Sequence, residues 1–287
     1  MARIVYVNGR YLPYAQAGVH VEDRGFQFAD AVYEVCEVRG GALVDPTRHL
    51  ARLARSLREL SIPAPMPDAA LRHVLRQTVR RNRITDGILY LQVTRGRAPR
   101  DFLFPDAATE PTLVVVARAL DPARVAAKAR AGIAVRSVPD NRWGRCDLKT
   151  VMLLPAALAK ETARRDGAQE AWFVDRDGYV TEGASSNAWI VRSDGFVLTP
   201  PLGPAILGGV TRATLIDVLA ASGVPFEERR FTIAEAQRAR EAFVTSASAT
   251  VMPVVRIDDG RVGDGRPGTL TLRLREKFHD VAELAPV

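Results

Sequence analysis

The chain has 287 residues, 47% hydrophobic and 25% charged, an ordinary balance for a folded protein, and no apolar run approaches the roughly 18 residues that span a bilayer. A net charge of +7 invites a nucleic-acid reading, but the basic residues are spread among Asp and Glu without dense blocks or aromatic platforms, which argues against that partner. The start, MARIVYVNGRYLP, has no long apolar segment with a small-residue cleavage site behind it, so the expectation is a cytoplasmic protein with no membrane partner. Cys36, Cys146 and four scattered histidines match no metal or redox spacing; reduced thiols and no structural metal are expected.

In chain order, RIVYVNGRYLP reads as a hairpin about Asn8-Gly9 and VYEVCEVRGGALVD as a second about Gly40-Gly41, because these pairs supply positive φ. RHLARLARSLREL spaces Leu50, Leu53, Leu57 and Leu60 for one helical face, and PDAALRHVLRQTVRR gives a second helix. GILYLQVTRG and TLVVVARAL are strands, after which ALDPARVAAKAR reads as a connection. The second half opens with a strand, GIAVRSVP, and a helix in PAALAKETARRDG, followed by strands EAWFVD, NAWIV and GFVLTP. Helices are expected in TRATLIDVLAASG, TIAEAQRA and LTLRLREKFHDVAEL, the last with Leu270, Leu274, Phe278 and Val281 on one face. The expected organisation is a small N-terminal α/β domain over 1–120, a linker over 121–130 and a larger domain over 131–287.

Only four of the forty basic residues are lysine. One, Lys149, stands in RCDLKTVMLLP; a lysine, unlike an arginine, can lose a proton and form a Schiff base with a carbonyl. In VTEGASSNAWIV, Glu182 beside Gly183 can face a flat protonated ring, or it can face water in a turn. In ILGGVTRATL, two glycines precede a helix start with Thr211, which suits an anion and equally an ordinary capped turn. FVTSASATVMPV ends a strand in small and hydroxyl residues, another place for backbone amides to crowd an anion. A lysine, a carboxylate and an anion cup together describe a site for pyridoxal phosphate.

The motifs EDRGFQFADAVYEV, RHLARL, LYLQVTRG, RCDLKTVMLLP, TEGASSN and GGVTR, in this order over about residues 4 to 275, resemble those of the class IV (fold-type-IV) pyridoxal-phosphate aminotransferases, and within them the D-amino-acid aminotransferases. The resemblance implies a two-domain α+β/α/β fold with a barrel-like core in the larger domain, the cofactor at the domain interface, and a homodimer whose subunits complete each other's sites. By motif, Lys149 would be the Schiff-base lysine and Glu182 the partner of the pyridine nitrogen. Arg52 would hold the phosphate, helped by Val210, Thr211 and the backbone of Ala247. Tyr33 would line the substrate pocket, and Arg100, in RAPRDFLFP, would bind the substrate carboxylate from the neighbouring subunit. Arg52 is expected on the opposite side of its helix from part of the Leu50, Leu53, Leu57 stripe, and a guanidinium fork fits phosphate oxygens.

Two positions depart from the pattern. The D-amino-acid enzymes usually read Arg-x-His where this chain has Arg100, Asp101 and Phe102, and Ala247 stands where many relatives carry a phosphate-binding threonine. The reaction implied is transfer of an amino group from a D-amino acid, such as D-alanine, to a 2-oxo acid such as 2-oxoglutarate. Other readings within the family are an (R)-amine transaminase, a branched-chain L-amino-acid aminotransferase and an aminodeoxychorismate lyase. Outside it stands a non-enzymatic basic nucleic-acid-binding module.

Overall fold

A computed structural model describes residues 3–287. The elements are β1 (Ile4–Val7), β2 (Arg10–Pro13), α1 (Arg24–Phe28), β3 (Ala31–Arg39), β4 (Ala42–Val44), α2 (Pro46–Glu59), α3 (Asp68–Asn82), β5 (Gly87–Thr94) and β6 (Thr112–Ala119). They continue with α4 (Pro122–Ala131), β7 (Ile133–Pro139), α5 (Leu154–Arg165), β8 (Glu170–Val174), β9 (Val180–Gly183), β10 (Asn187–Val191) and β11 (Val197–Thr199). The remainder comprises α6 (Val210–Ala221), β12 (Phe226–Glu228), α7 (Ile233–Gln237), β13 (Glu241–Ser246), β14 (Thr250–Ile257), β15 (Gly260–Arg261), α8 (Thr269–Val281) and β16 (Leu284–Pro286).

Two compact units result, and neither is a single stretch of chain. The first takes residues up to Asp121 together with Leu148–Met152 and Glu283–Val287, and the second takes Pro122–Asp147 and Leu153–Ala282. In the first, seven strands run in the order β16-β4-β3-β5-β6-β1-β2. Alternate side chains of these strands, Val32, Cys36, Val38, Leu89, Leu91, Val93 and Val115 among them, meet Leu50, Leu53 and Leu57 of α2 and Leu71, Leu75 and Val79 of α3 in one apolar core. Residues 283–287 fasten the start of α2: the Glu283 carboxylate accepts from Thr47 N at 3.1 Å and Thr47 Oγ1 at 2.9 Å.

The second unit's principal sheet runs β12-β11-β10-β13-β14-β7-β8-β9, with β15 beside β14. β10 and β9 lie five strand spacings apart in that order, about 24 Å if the sheet were flat. Yet only Ala184, Ser185 and Ser186 separate them, a link that reaches at most about 15 Å, and Gly183 N donates to Ser186 O at 2.7 Å. The sheet therefore curls towards closure, the half-barrel that a barrel-like core calls for. Trp172, Ile190, Leu198, Phe231 and Val254 fill part of its interior.

Three segments differ from the sequence expectations. The stretch expected as a linker over 121–130 is largely α4, which opens on Pro122 and is rich in alanine, so it is helical by propensity while burying only Ala129. The last helix stops at Val281, where Ala282 turns extended, and Leu284–Pro286 pairs with β4; Leu270, Leu274 and Phe278 are buried, but Val281 is exposed. Lys149, expected in the larger C-terminal domain, lies in a segment of the first unit.

The start of α8 is capped from another element. Gly268 offers no capping side chain, and buried Glu241 of β13 instead accepts from Leu270 N (3.1 Å), Thr271 N (2.8 Å) and Thr271 Oγ1 (2.8 Å). A Cβ on Gly268 would lie 2.0 Å from the Glu241 Cδ. Glu241→Ala, which strands these donors, is expected to destabilise the protein by about 2–3 kcal/mol. Urea denaturation followed by circular dichroism measures the loss.

Candidate active site

In the first unit, Lys149 sits beside the opening of β3. Its carbonyl accepts from Tyr33 N at 3.0 Å, and Val151 N donates to Ala31 O at 3.1 Å, so a short run of antiparallel pairing fixes the lysine's backbone. The Lys149 Nζ lies 4.3 Å from the centroid of the Tyr33 ring, whose own neighbour is Tyr90 at 5.6 Å. An ammonium over a ring face is attracted by the aromatic quadrupole. Burial, with Tyr33 adding to it, pushes the Tyr90 phenol up to about 12.

On the opposite face of β3, in phase with Val32, Cys36 and Val38, lies a fully buried carboxylate, Glu34. It accepts from Arg52 Nε and Nη2, each at 2.7 Å, and stands 2.7 Å from His49 Nδ1. His49 and Arg52 are one helical turn apart on α2, which puts both on one face. Arg52 therefore sits at the margin of the leucine stripe and faces the sheet, rather than being turned away from it. Burial alone would raise the Glu34 carboxyl; the Arg52 charge, then hydrogen bonds from Arg52 and His49, outweigh it and hold it at about 2. Burial pushes the His49 imidazole down against the pull of Glu34. Arg100 is exposed between β5 and β6, its guanidinium 5.2 Å from the Phe28 ring and 5.8 Å from the Phe102 ring.

In the second unit, Glu182 is buried on β9. It is paired with Arg142 Nη1 and accepts from Leu207 N at 3.1 Å and Asn187 Nδ2 at 3.2 Å. Arg142 also grips Asp140 through Nε (2.9 Å) and Nη2 (2.7 Å) and lies over the Phe173 ring. Burial would raise Asp140; hydrogen bonding and charge from Arg142 bring it below the usual carboxylate range. The turn after Glu182 is pinned by buried Glu170, which accepts from Ser185 Oγ (2.7 Å) and Ser186 Oγ (3.0 Å) and pairs with Lys160 Nζ (3.1 Å).

Helix α6 begins after Gly209 with no capping side chain, and Val210 and Thr211 form its buried first turn. The N–H groups of such a turn have no intrahelical acceptor and suit an anion. Gly209 is required by crowding, since a Cβ there would lie 2.1 Å from Asn187 Oδ1. Ala247 occupies the turn between β13 and β14.

Each unit thus gathers part of the set expected from sequence. Lys149 and Tyr33 meet in the first, which also holds Arg52 and Arg100; Glu182, Val210, Thr211 and Ala247 belong to the second. An amine over a ring face, a buried carboxylate locked by fixed donors, and an uncapped helix start have the chemistry that pyridoxal phosphate requires. Glu34, His49, Asp140, Arg142 and Glu170 were not among the expected residues. Glu34 alone left a signal, a charge in the apolar phase of an alternating strand.

A model of the family described as amino-transferase class IV matches residues 31–257. The chain is 38% identical over 279 residues to a D-alanine aminotransferase of Staphylococcus haemolyticus, covering 97% of this chain and 98% of that protein. It is also 38% identical over 267 residues to a D-alanine aminotransferase of Bacillus licheniformis, covering 93% of each. Among solved structures, the T.th. branched-chain amino acid aminotransferase with pyridoxamine 5'-phosphate aligns with a TM-score of 0.89 at 26% identity, covering 98% of this chain and 94% of that one. The branched-chain enzyme of Escherichia coli shares the fold with a TM-score of 0.89 at 24% identity, covering 98% and 95%.

The Glu34 carboxyl is held at about 2, below its ordinary value of 4.5. Its contribution to stability is therefore complete above about pH 4.5 and is lost as pH falls towards 2. Glu34→Gln is expected to be less stable than the parent by about 3 kcal/mol at neutral pH, with the gap narrowing below about pH 4. Paired denaturation curves at several pH values check both the size and the direction.

Proposed function

The chain belongs to the class IV aminotransferases and is a pyridoxal-phosphate-dependent transaminase of fold type IV, and from that premise we propose that it moves the amino group of a D-amino acid of the D-alanine type to a 2-oxo acid such as 2-oxoglutarate. The observation that carries this reading is the near full-length likeness to D-alanine aminotransferases at 38% identity. It exceeds the 26% shared with the T.th. branched-chain enzyme.

Bound pyridoxal phosphate supplies an electron sink for the carbanion left when the substrate's α-proton departs. Lys149 Nζ would be the point of attachment and, once the donor's amino group has displaced it and left it a free amine, the base: it would take the proton from the donor's α-carbon and later return one. Its position over Tyr33 supports that role, since a ring face leaves the amine available in a way that a carboxylate partner would not. Glu182 opposes the pyridine nitrogen with a negative charge, and Arg142, Asn187 and the Leu207 N–H hold its orientation. Arg52 takes the phosphate together with the first-turn N–H groups of Val210 and Thr211 and the backbone of Ala247, where no hydroxyl assists. Tyr33 lines the substrate pocket. Arg100, supplied by the second copy in a homodimer, binds the α-carboxylate. Its exposure supports a role towards another molecule.

One observation favours a second reading. Phe102, 81% exposed, replaces a histidine donor with an apolar ring, which suits a donor lacking a carboxylate, such as an (R)-arylamine.

Absorbance of the holoenzyme separates these readings when D-alanine, L-leucine and an (R)-arylamine are added singly without an oxo acid. Bleaching of the yellow band by D-alanine and its return with 2-oxoglutarate is the expected result; bleaching by the amine or by leucine alone replaces the substrate and keeps the family. Lys149→Ala is expected to lack the lysine-bound band and to lose about 10³-fold or more in turnover.

A further inference from the structure

The loop bearing Arg100 is exposed at its tip, where Phe102, Leu103 and Phe104 are all open to solvent. Apolar burial therefore does not hold it. What holds it is a pair of buried arginines. Arg24 and Arg95, 3% and 5% exposed, both donate through Nε to the same oxygen of Asp30, Oδ2, at 2.8 and 2.7 Å. Arg95 spends its other nitrogens on the carbonyls of Ser61 (2.9 Å) and Leu60 (2.8 Å), which anchors it to the chain after α2. Arg24 Nη1 turns the other way, donating to the carbonyls of Asp101 (2.7 Å) and Leu103 (3.3 Å), the residues on either side of Phe102.

The rings continue the arrangement. Phe104 lies 3.7 Å from the Arg95 guanidinium and Phe28 lies 4.5 Å from that of Arg24. Phe28 also faces Phe102 at 5.6 Å and the Arg100 guanidinium at 5.2 Å. The loop's root is equally constrained: Gly96 adopts φ +101° with room for no side chain, since a Cβ would lie 2.0 Å from Glu110 O, and Arg24 N donates to Gly96 O at 2.9 Å. Two motifs that the proposed chemistry leaves unused, EDRGF and VTRG, supply Arg24 and Arg95.

We propose that Arg24, Asp30 and Arg95 are positioning residues for carboxylate recognition: their buried charge cluster fixes the backbone of residues 101–103 and so sets the place of Arg100. This rests on the reading that Arg100 binds the substrate carboxylate. A planar guanidinium that donates through Nε to Asp30 and through Nη1 to the loop carbonyls defines direction as well as distance, a span that a lysine's single nitrogen cannot reproduce. A displacement of about 1 Å at a substrate-binding group is costly to turnover at subsaturating substrate.

The test uses holoenzyme carrying Arg24→Lys, which keeps a cation near Asp30 and loses the reach to both loop carbonyls. The expected result is a KM for D-alanine and for 2-oxoglutarate raised about tenfold with kcat within about threefold. Hydrogen exchange should be faster at residues 101–104, with the cofactor's absorbance band unchanged. Phe104→Ala, which removes an exposed ring from Arg95 and strands no charge, should move KM the same way by about threefold and decides the matter if the first variant does not fold. Unchanged KM in the folded variants, or a fall in kcat or loss of the cofactor band without a change in KM, overturns the inference. Arg100→Ala separates the two layers: if it leaves KM unmoved, the role of Arg100 fails; if it raises KM while Arg24→Lys and Phe104→Ala do not, only the anchoring fails.

Discussion

Removing a carboxylate from water costs several kcal/mol unless cations and N–H groups replace the lost hydration, and this constraint organises both units. Glu34 is answered by Arg52 and His49, Glu182 by Arg142 with Asn187 and a backbone N–H, and Asp30 by Arg24 and Arg95. In each set at least one partner comes from a distant stretch of chain, Arg52 and His49 of α2 for Glu34, Arg142 for Glu182 and Arg95 for Asp30, so each cluster ties separate segments together. Breaking one would leave an uncompensated charge inside the protein, which makes the geometry of these groups far stiffer than that of surface ion pairs.

The same constraint gives the arginine-rich composition a physical use. The groups that must hold direction, at Arg24, Arg52, Arg95 and Arg142, are planar forks that engage two or more acceptors. Two of the four lysines serve where a fork is unnecessary or unwanted. Lys160 closes on Glu170 and the Gln169 carbonyl as a point charge. Lys149 instead meets a ring face, and an amine that must react with a carbonyl has to keep its lone pair accessible once deprotonated.

Much of this was legible in the sequence where signal and structure are local. The leucine spacing of α2, the turn glycines Gly9, Gly40 and Gly41, and the run of motifs around Lys149 and Glu182 each follow from neighbours a few residues away. The residues missed are those whose meaning depends on distant partners. Arg142 reads as one arginine among many until Glu182, forty positions on, is placed beside it. Leu-Ala-Pro at 284–286 has no strand character of its own and becomes a strand only because the edge of β4 is there to receive it. Helix α4 failed in the other direction, since alanine propensity sufficed to form it with little apolar stripe to announce it.

The division of the chain between the units has a consequence for biosynthesis. The first unit borrows Leu148–Met152 and Glu283–Val287 from beyond the boundary of the second. During vectorial synthesis its early strands and helices can collapse, but β4 keeps an open edge, and Thr47 lacks the carboxylate that fastens α2, until residues 283–286 have been made. The lysine segment likewise becomes available only after β7 has been synthesised. Maturation of the first unit is therefore tied to synthesis of the second, whose residues 153–282 are made before the strand that closes the edge of β4.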